Sequence, residues 1–265
     1  YEQAQTPQPQ EPERRFTPRF PDIIDSSMLA TLKSCEEKFH KEYIHHWKSQ
    51  EPSVHLHAGQ AFAKGLAVAR DAFYTGFGQH LVKIKGDEKA KWHRVWDADL
   101  QGNSDSAIAL GLAALLGHYG DFDCPEDSAK SASRMAGAFE FYFANYPLSL
   151  DSECPIILPS GRRGIEFSFA EPLPIMHPDT GNPLLYVGRL DMLMDFAGGV
   201  FMEDDKTTSQ LGASWSRQWD LRAQFTGYAW GCKQSGIKVD GALVRGVSIL
   251  KTKYETQQAV SYRPD

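Results

Sequence analysis

The feature that most constrains this fold is a charged stretch at residues 188–209, GRLDMLMDFAGGVFMEDDKTTS. It contains two apolar runs of strand length joined at Ala197-Gly198-Gly199, a sequence typical of a tight turn between paired strands. Carboxylates are costly inside such strands unless a cation or hydrogen bonds compensate them. The stretch therefore predicts a β-hairpin that brings acidic side chains together for a reason other than packing.

Strand alternation determines which of these charges meet, because successive side chains point to opposite faces. On the second strand, Asp204 and Lys206 share one face, whereas Glu203 and Asp205 share the other. A turn at the glycines brings Asp191 of the first strand beside Asp204. We therefore predict one cluster of two acids and a lysine, with Glu203 and the Asp205 side chain pointing away from it. Asp195 shares the strand face of Asp191 but lies towards the turn, where a solvated role is expected.

Two adjacent carboxylates repel each other, and one binds a proton unless a cation lies between them. Mg²⁺ or Mn²⁺ meets this need, because such ions bind carboxylate oxygens, backbone carbonyls and waters. A nearby lysine can orient an attacking water or stabilise phosphate oxygens. This combination favours hydrolysis of a phosphodiester. A surface hairpin whose acids are merely solvated remains the alternative on spacing alone.

Three motifs in order, GRLD, EDDKTTS and QFTGY, resemble the PD-(D/E)XK nuclease superfamily, specifically its RecB-like branch. That branch includes CRISPR-associated RecB-like exonucleases and phage-type exonucleases. The resemblance makes Asp191 and Asp204 metal ligands and Lys206 the catalytic lysine. Gln224 and Tyr228 then support them from one helix face, since positions i and i+4 are neighbours there. An amide and a phenol can hydrogen-bond the lysine, a water or a phosphate.

The resemblance implies an α/β fold: a restriction-endonuclease-like core with a central mixed β-sheet flanked by helices, plus an N-terminal helical lobe. It also implies a metal ligand upstream of GRLD. Glu166, in RRGIEFSF, is the candidate, with an exposed edge glutamate as the alternative. The backbone carbonyl of Asp205 is expected to assist. The GxxxH helix motif of the family maps onto GQAFA, where Ala63 replaces the histidine, so metal binding by carboxylates alone is expected.

Some relatives hold an iron–sulfur cluster through one N-terminal and three C-terminal cysteines. No C-terminal trio occurs here, so no cluster is expected in this chain. Cys35 is then predicted to be an ordinary core thiol on a helix. The four cysteines show no CxxC spacing, which is typical of reduced thiols rather than a zinc ribbon or a disulfide scaffold.

Candidate DNA contacts surround the motifs: Arg189, Arg217, Trp219 and Arg222. Arginines can hold phosphates, and Trp219 can stack on an unpaired base, although a buried tryptophan is the alternative. The net charge of −6 argues against a general nucleic-acid coat protein. From residue 206 onward, however, the chain contains nine Lys and Arg but four Asp and Glu. This excess of positive charge would attract a polyanion to one side.

Composition along the chain predicts a flexible tail at 1–22, a helical lobe at 23–150 and a nuclease core at 151–265. Hydrophobic periodicity predicts helices in the lobe at residues 25–47, 58–77 and 125–147, and one or two more across 86–118, the last of them at 105–120. The core is predicted to contain three strands, one helix across 214–236, and two closing strands.

Together with the acid–lysine cluster, the resemblance implies a Mg²⁺- or Mn²⁺-dependent deoxyribonuclease, most simply an exonuclease of phage or bacterial recombination and repair. Its expected substrate is DNA that is single-stranded or has free ends. A recombination or replication protein is an expected partner, an oligomer is compatible, and no membrane span is expected because no apolar run approaches ~18 residues. The cytoplasm of a bacterium or phage-infected host is the expected location. A catalytically idle nuclease fold that binds DNA or serves assembly, and a nuclease acting on RNA, are the alternatives.

Overall fold

The computed structural model describes residues 18–49, 53–76, 80–83, 92–95, 100–120, 122, 124–148, 154–220 and 222–263. The predicted tail therefore lies outside the described residues up to residue 17. Its last part packs on the protein: the ring of Phe20 contacts Phe39, and its carbonyl oxygen lies 2.9 Å from His177 Nε2. Among the described residues, no helix combines the length and apolar character needed to cross a membrane.

The chain begins with a two-residue strand, β1 (Ile23–Ile24), and then helix α1 (Ser26–Ser34). The Asp25 carboxylate caps α1 by accepting a hydrogen bond from the Met28 N–H at 2.8 Å. Cys35 then adopts an extended backbone with φ −164°, and its Sγ accepts a hydrogen bond from the Lys38 N–H. The prediction of one continuous helix over 25–47 was wrong, because the chain breaks at Cys35. That thiol is exposed and not part of a core.

Beyond this break lie the remaining elements of the first half. Three are helices and two form a short antiparallel hairpin: α2 (Glu36–Phe39), α3 (Val54–Asp71), β2 (His80–Lys83), β3 (Trp92–Val95) and α4 (Leu100–Tyr119). Short π-helical turns at His40–Ile44 and Ala72–Gly76 extend α2 and α3. Of the one or two helices predicted across 86–118, the described residues contain one, and it begins at residue 100. Residues 92–95 form a strand instead, and 84–91 and 96–99 lie outside the described residues.

The next helix, α5 (Ala132–Asn145), begins seven residues after the predicted start at Pro125. Ser131 supplies the cap, because its side-chain oxygen accepts a hydrogen bond from the Arg134 N–H. Residues 125–131 form turns and a bend before this cap. The acids that suggested a helix start therefore lie in the preceding loop.

The second half builds most of a mixed β-sheet. Its strands are β4 (Cys154–Pro155), β5 (Ile165–Met176), β6 (Pro183–Phe196), β7 (Gly199–Thr208), β8 (Gly241–Ile249) and β9 (Tyr254–Tyr262). With β1, the described strands form a seven-stranded sheet in the order β1-β6-β7-β8-β9, and β4 and β5 also pair with β6. The pairs β1–β6 and β7–β8 are parallel, and the other pairs are antiparallel. The predicted hairpin and the two closing strands are confirmed.

The connection from β7 to β8 contains two helices, α6 (Ala213–Arg217) and α7 (Ala223–Gln234), instead of the single helix predicted over 214–236. Gln218 ends α6, and Arg222 begins α7 from an extended conformation. Gly236 follows α7 with φ 78°, a left-handed conformation that glycine adopts at little cost. The break turns α7 so that it packs against β5 and β6.

Helices cover both faces of the sheet. On one face, α3, α4 and α5 share a core with Met192, Phe201 and Leu243 of the central strands. On the other face, α6 and α7 share a second core with Leu193 and Met202. Alternate side chains of β6 and β7 thus enter different cores, as expected for a sheet buried on both faces. The predicted α/β class, with a mixed sheet flanked by helices, is confirmed.

Helices α3 and α4 cross at glycines with no room for a side chain. A Cβ at Gly111 would lie 2.6 Å from the Gly65 carbonyl oxygen and 2.7 Å from the Ala69 Cβ. We expect Gly111→Ala to lower the free energy of unfolding by about 1–2 kcal/mol, because overpacking outweighs the gain in helix propensity. Urea denaturation followed by circular dichroism measures this change.

Gly117 provides the matched control on the same helix, because a Cβ at this position would meet no atom within 4 Å beyond the backbone of its own helix. Gly117→Ala should raise the free energy of unfolding by about 0.5–1 kcal/mol. Equal effects of the two substitutions would show that the tight crossing of α3 and α4 is not present in solution.

Candidate active site

The register of the β6–β7 hairpin places two acids side by side. Met192 pairs with Glu203 at the open end of the hairpin, and Asp191 and Asp204 are the next residues along the two strands. The turn at Ala197 and Gly198 uses φ values of 48° and 84°, as a two-residue hairpin turn requires. Asp205 contributes through its backbone, since its N–H donates a hydrogen bond to Asp191 Oδ2 at 2.9 Å.

Burial gives both carboxylates raised pKa values. Loss of solvation, followed by repulsion from Asp204 and Asp205, raises the pKa of Asp191 to about 8, against the opposing effect of Lys206. Burial also raises the pKa of Asp204, although the lysine acts in the opposite direction. The pair therefore retains a proton near neutral pH when no further cation is bound.

Lys206 is the cation closest to these acids, with its Nζ 2.6 Å from Asp204 Oδ2. Burial by itself lowers the pKa of Lys206, but attraction to Asp204 and Asp191 outweighs this effect and the pKa is raised. The side chain therefore stays a charged ammonium group. It keeps 34% of its surface exposed, so it is accessible to a ligand that enters the site.

Helix α7 adds two polar side chains to the same face of the sheet. Gln224 Nε2 donates hydrogen bonds to Asp204 Oδ1 at 3.5 Å and to the Tyr228 hydroxyl oxygen at 3.3 Å. The close approach of α7 depends on Gly188 of GRLD, where a Cβ would lie 2.5 Å from Phe169 and 2.9 Å from Tyr228. The five predicted residues of the three motifs are thus brought together.

Glu166 lies on β5, between residues that pair with either side of Asp191, and it has φ 52°. This left-handed conformation costs a non-glycine residue about 1–3 kcal/mol, and such costs are common at functional sites. Its carboxylate lies 3.1 Å from Arg189 Nε, in a pair that is partly exposed to solvent. The assignment of Glu166 as a third ligand stays a prediction.

In the part of the chain that the structure describes, no group of three His, Cys, Asp or Glu side chains is arranged to hold a metal. Mg²⁺, however, is commonly bound through one or two carboxylates, with waters and substrate phosphates completing its shell. Asp191 and Asp204 match that type of site, because loss of solvation raises the pKa of both carboxylates despite the nearby Lys206, and a bound cation would offset this. The donor set fits a hard divalent cation that leaves several coordination positions open.

The candidate DNA contacts have different environments. Arg217 and Arg222 are exposed, and Arg189 keeps 73% of its side-chain surface exposed. Trp219 is only 6% exposed and packs against Trp215 and Phe225. A buried ring cannot stack on a base, so the assignment of Trp219 to DNA binding was wrong and the alternative, a core tryptophan, holds.

The acids on the other face of β7 form a separate buried cluster. Arg70 of α3 places Nη2 2.6 Å from Glu203 Oε1 and Nη1 2.7 Å from Asp205 Oδ2. Arg245 Nη1 lies 3.1 Å from the same Glu203 oxygen, and the Tyr142 hydroxyl donates to Asp205 Oδ1 at 2.8 Å. We call these five residues the arginine cluster. Its two cations balance its two acids, unlike the cluster around Asp191.

Sequence reasoning missed both arginines, although each carries a signal. Arg70 occupies the core face of α3, one turn after Leu66 and one before Phe73. Arg245 interrupts the otherwise apolar and buried strand GALVRGVSI. A charge at a position that periodicity assigns to a core predicts a buried counter-charge elsewhere in the chain.

Removing one arginine tests the cluster. Arg70→Met keeps most of the side-chain volume but leaves Glu203 and Asp205 with less compensation in a buried site. We expect the free energy of unfolding to fall by about 3–5 kcal/mol. Lys64→Met, at an exposed position of α3, should change it by less than about 0.5 kcal/mol. If chemical denaturation gives similar changes in the free energy of unfolding for Arg70→Met and Lys64→Met, the buried arginine cluster is contradicted.

The raised pKa of Asp191 predicts pH-dependent stability in EDTA. Between the ordinary aspartate pKa of about 4 and the folded value of about 8, the folded protein binds a proton that the unfolded chain releases. This group therefore makes the fold less stable as pH rises through that window. Asp191→Asn removes the effect, and its amide oxygen can still accept the Asp205 N–H. The difference in melting temperature, Asp191→Asn minus parent, should increase from about pH 5 to about pH 9. A difference that does not change with pH would contradict the raised pKa of Asp191.

Comparison with known proteins adds no assignment to this site. No model of a known protein family matches the chain, and no curated protein matches it. The chemistry of the site therefore follows from its own side chains. These are two acids with raised pKa values, a charged lysine, and an amide and phenol that reach them from α7.

Proposed function

We propose that this protein is a metal-dependent deoxyribonuclease with a restriction-endonuclease-like core, most simply an exonuclease of phage or bacterial recombination and repair. The observation that carries the proposal is the division of charge across β7. Glu203 and Asp205 are neutralised by arginines on one face, whereas Asp191 and Asp204 share a single close lysine on the other. Such a deficit of positive charge supports binding of a divalent cation.

Each side chain of the site has a role in this proposal. Asp191 and Asp204 hold the cation, with the Asp205 carbonyl and Glu166 as further candidate ligands. A bound Mg²⁺ or Mn²⁺ would lower the pKa of a coordinated water and offset the charge of a phosphate. The Lys206 ammonium orients the attacking water or a phosphate oxygen, since it stays charged and partly accessible. Gln224 holds Asp204 in place and hydrogen-bonds Tyr228.

Two neighbouring cavities support a nucleic-acid strand as the substrate. One, of about 640 Å³, lies between α1 and the start of α7 and is lined by Lys33, Arg222 and Gln224 among others. The second, of about 430 Å³, is lined by Arg189 and Tyr228 among others. Ser26 and Ser27 line both cavities, so the two adjoin along the face of α7 that carries Gln224 and Tyr228. Hydroxyl, amide and basic groups of this kind bind phosphates.

The test is digestion of end-labelled DNA in Mn²⁺ by the parent protein, Asp191→Ala and Lys206→Ala. We expect both variants to lose at least about 100-fold in rate while keeping their circular dichroism spectra, because each removes a charge at the reacting phosphate. Lys253→Ala, which removes an exposed lysine on the β8–β9 turn, is the matched control and should retain the parent rate.

The substrate set separates the alternatives. Survival of circular DNA while linear DNA is degraded identifies an exonuclease, and cleavage of both identifies an endonuclease. Degradation of RNA in place of DNA identifies an RNA nuclease. DNA binding without any cleavage identifies a nuclease fold retained for binding or assembly. Parent-level digestion by purified Lys206→Ala protein would rule out the proposed mechanism.

A further inference from the structure

A basic cavity of about 450 Å³ lies on the side of α7 away from the candidate active site. Its lining residues come from α7, from the following loop and from the segment after β9: Thr226, Ala229, Trp230, Lys233, Gly236, Ile237, Lys238, Val239 and Arg263. On a helix with 3.6 residues per turn, Thr226, Trp230 and Lys233 project roughly opposite to Gln224 and Tyr228. The cavity is therefore separate from the acids and lysine described above.

The charge of this cavity is unusual for an acidic protein. Its lining contains two lysines and one arginine but no acid, whereas the whole chain has a net charge of −6. Among the described residues, neither Lys233 nor Arg263 forms an ion pair with a carboxylate. Cations around a concave surface attract anions, and phosphate groups are the commonest biological example.

Arg263 is held in position by the protein but not neutralised by it. Its guanidinium donates hydrogen bonds to Ser261 Oγ at 2.5 Å and to the Trp219 carbonyl oxygen at 3.3 Å. Its buried Nε–H has no hydrogen-bond partner among the described residues. Burial lowers the pKa of Arg263, and attraction to Asp220 opposes this only in part. The neutral oxygen acceptors do not offset the positive charge of the guanidinium, whereas a bound anion would.

The rest of the lining is aromatic and apolar. Trp230 is partly exposed, and its ring meets that of Tyr186 edge to face, with centroids 5.9 Å apart. Ile237 and Val239 are buried and form an apolar wall beside it. An indole next to cations can stack on a nucleobase while the cations hold its phosphate. A site for a simple anion would need no such wall.

From this combination, we infer that the basic cavity binds a nucleotide, with Lys233 and Arg263 at the phosphate and Trp230 at the base. The volume lies within the range of small-molecule sites. The nucleotide is either a free nucleoside monophosphate or one residue of a nucleic-acid strand. The inference goes beyond the proposed nuclease activity and does not depend on it, because it concerns the opposite face of α7.

Binding is measured in EDTA, so that metal-dependent cleavage plays no part. The probes are thymidine 5′-monophosphate, thymidine, inorganic phosphate and a short oligothymidylate, each titrated by calorimetry at low salt. The variants are Lys233→Glu, which changes an exposed side chain, and Arg263→Gln. Lys251→Glu is the matched control, because it lies beyond the far end of β8 and forms only an exposed ion pair with Asp127.

We expect Lys233→Glu to weaken nucleotide binding about tenfold or more, and Lys251→Glu to leave it unchanged. Thymidine and inorganic phosphate should each bind more weakly than the monophosphate. If Lys233→Glu weakens binding of both the monophosphate and the oligonucleotide, the cavity is a site for a free nucleotide. If it weakens binding of the oligonucleotide alone, the cavity contacts a strand. Both results support the inference. Unchanged binding of both ligands in Lys233→Glu, or phosphate binding as tight as that of the monophosphate, would overturn it. Neither result bears on the digestion assay, so the two proposals fail separately.

Discussion

The ion pairs between Arg70 and the acids of β7 are the interaction on which the rest of the structure depends. They connect a helix of the first half of the chain to the central strand of the second half, deep between two layers. Buried charges of this kind contribute little net stability, but they tolerate few alternative arrangements. The arginine cluster thus holds Glu203 and Asp205 on one face of β7, and by strand alternation Asp204 and Lys206 point towards α7.

The position of α7 completes this arrangement through steric fit. Glycines at 188, 227 and 231 let aromatic rings of β5, β6 and α7 come closer than any side chain at those glycines would permit. Gln224 and Tyr228 are therefore held at a distance set by packing, not by their own weak hydrogen bonds. Side chains supported in this way lose little freedom when a ligand binds.

Much of the site could be predicted because its determinants are local. The glycine turn and the alternation of β7 set the pairing of Asp191 with Asp204, and the i, i+4 spacing set Gln224 beside Tyr228. The arginine cluster could not be assembled in the same way, because its partners lie far apart in sequence. The predicted helix boundaries were wrong for a related reason. The caps at Cys35 and Ser131 each depend on a single hydrogen bond, and hydrophobic periodicity carries no information about such bonds.

The alternation of charge along β7 has a consequence for how this chain can vary. Moving the strand by one residue exchanges its two faces, because side chains alternate with a period of two. Glu203 and Asp205 would then face α7, and Asp204 with Lys206 would meet Arg70 inside the opposite core. The short turn at Ala197-Gly198 prevents such a slip. The length of this turn therefore determines which side chains form the site. A change in the length of this turn would therefore change which side chains of β7 face Asp191.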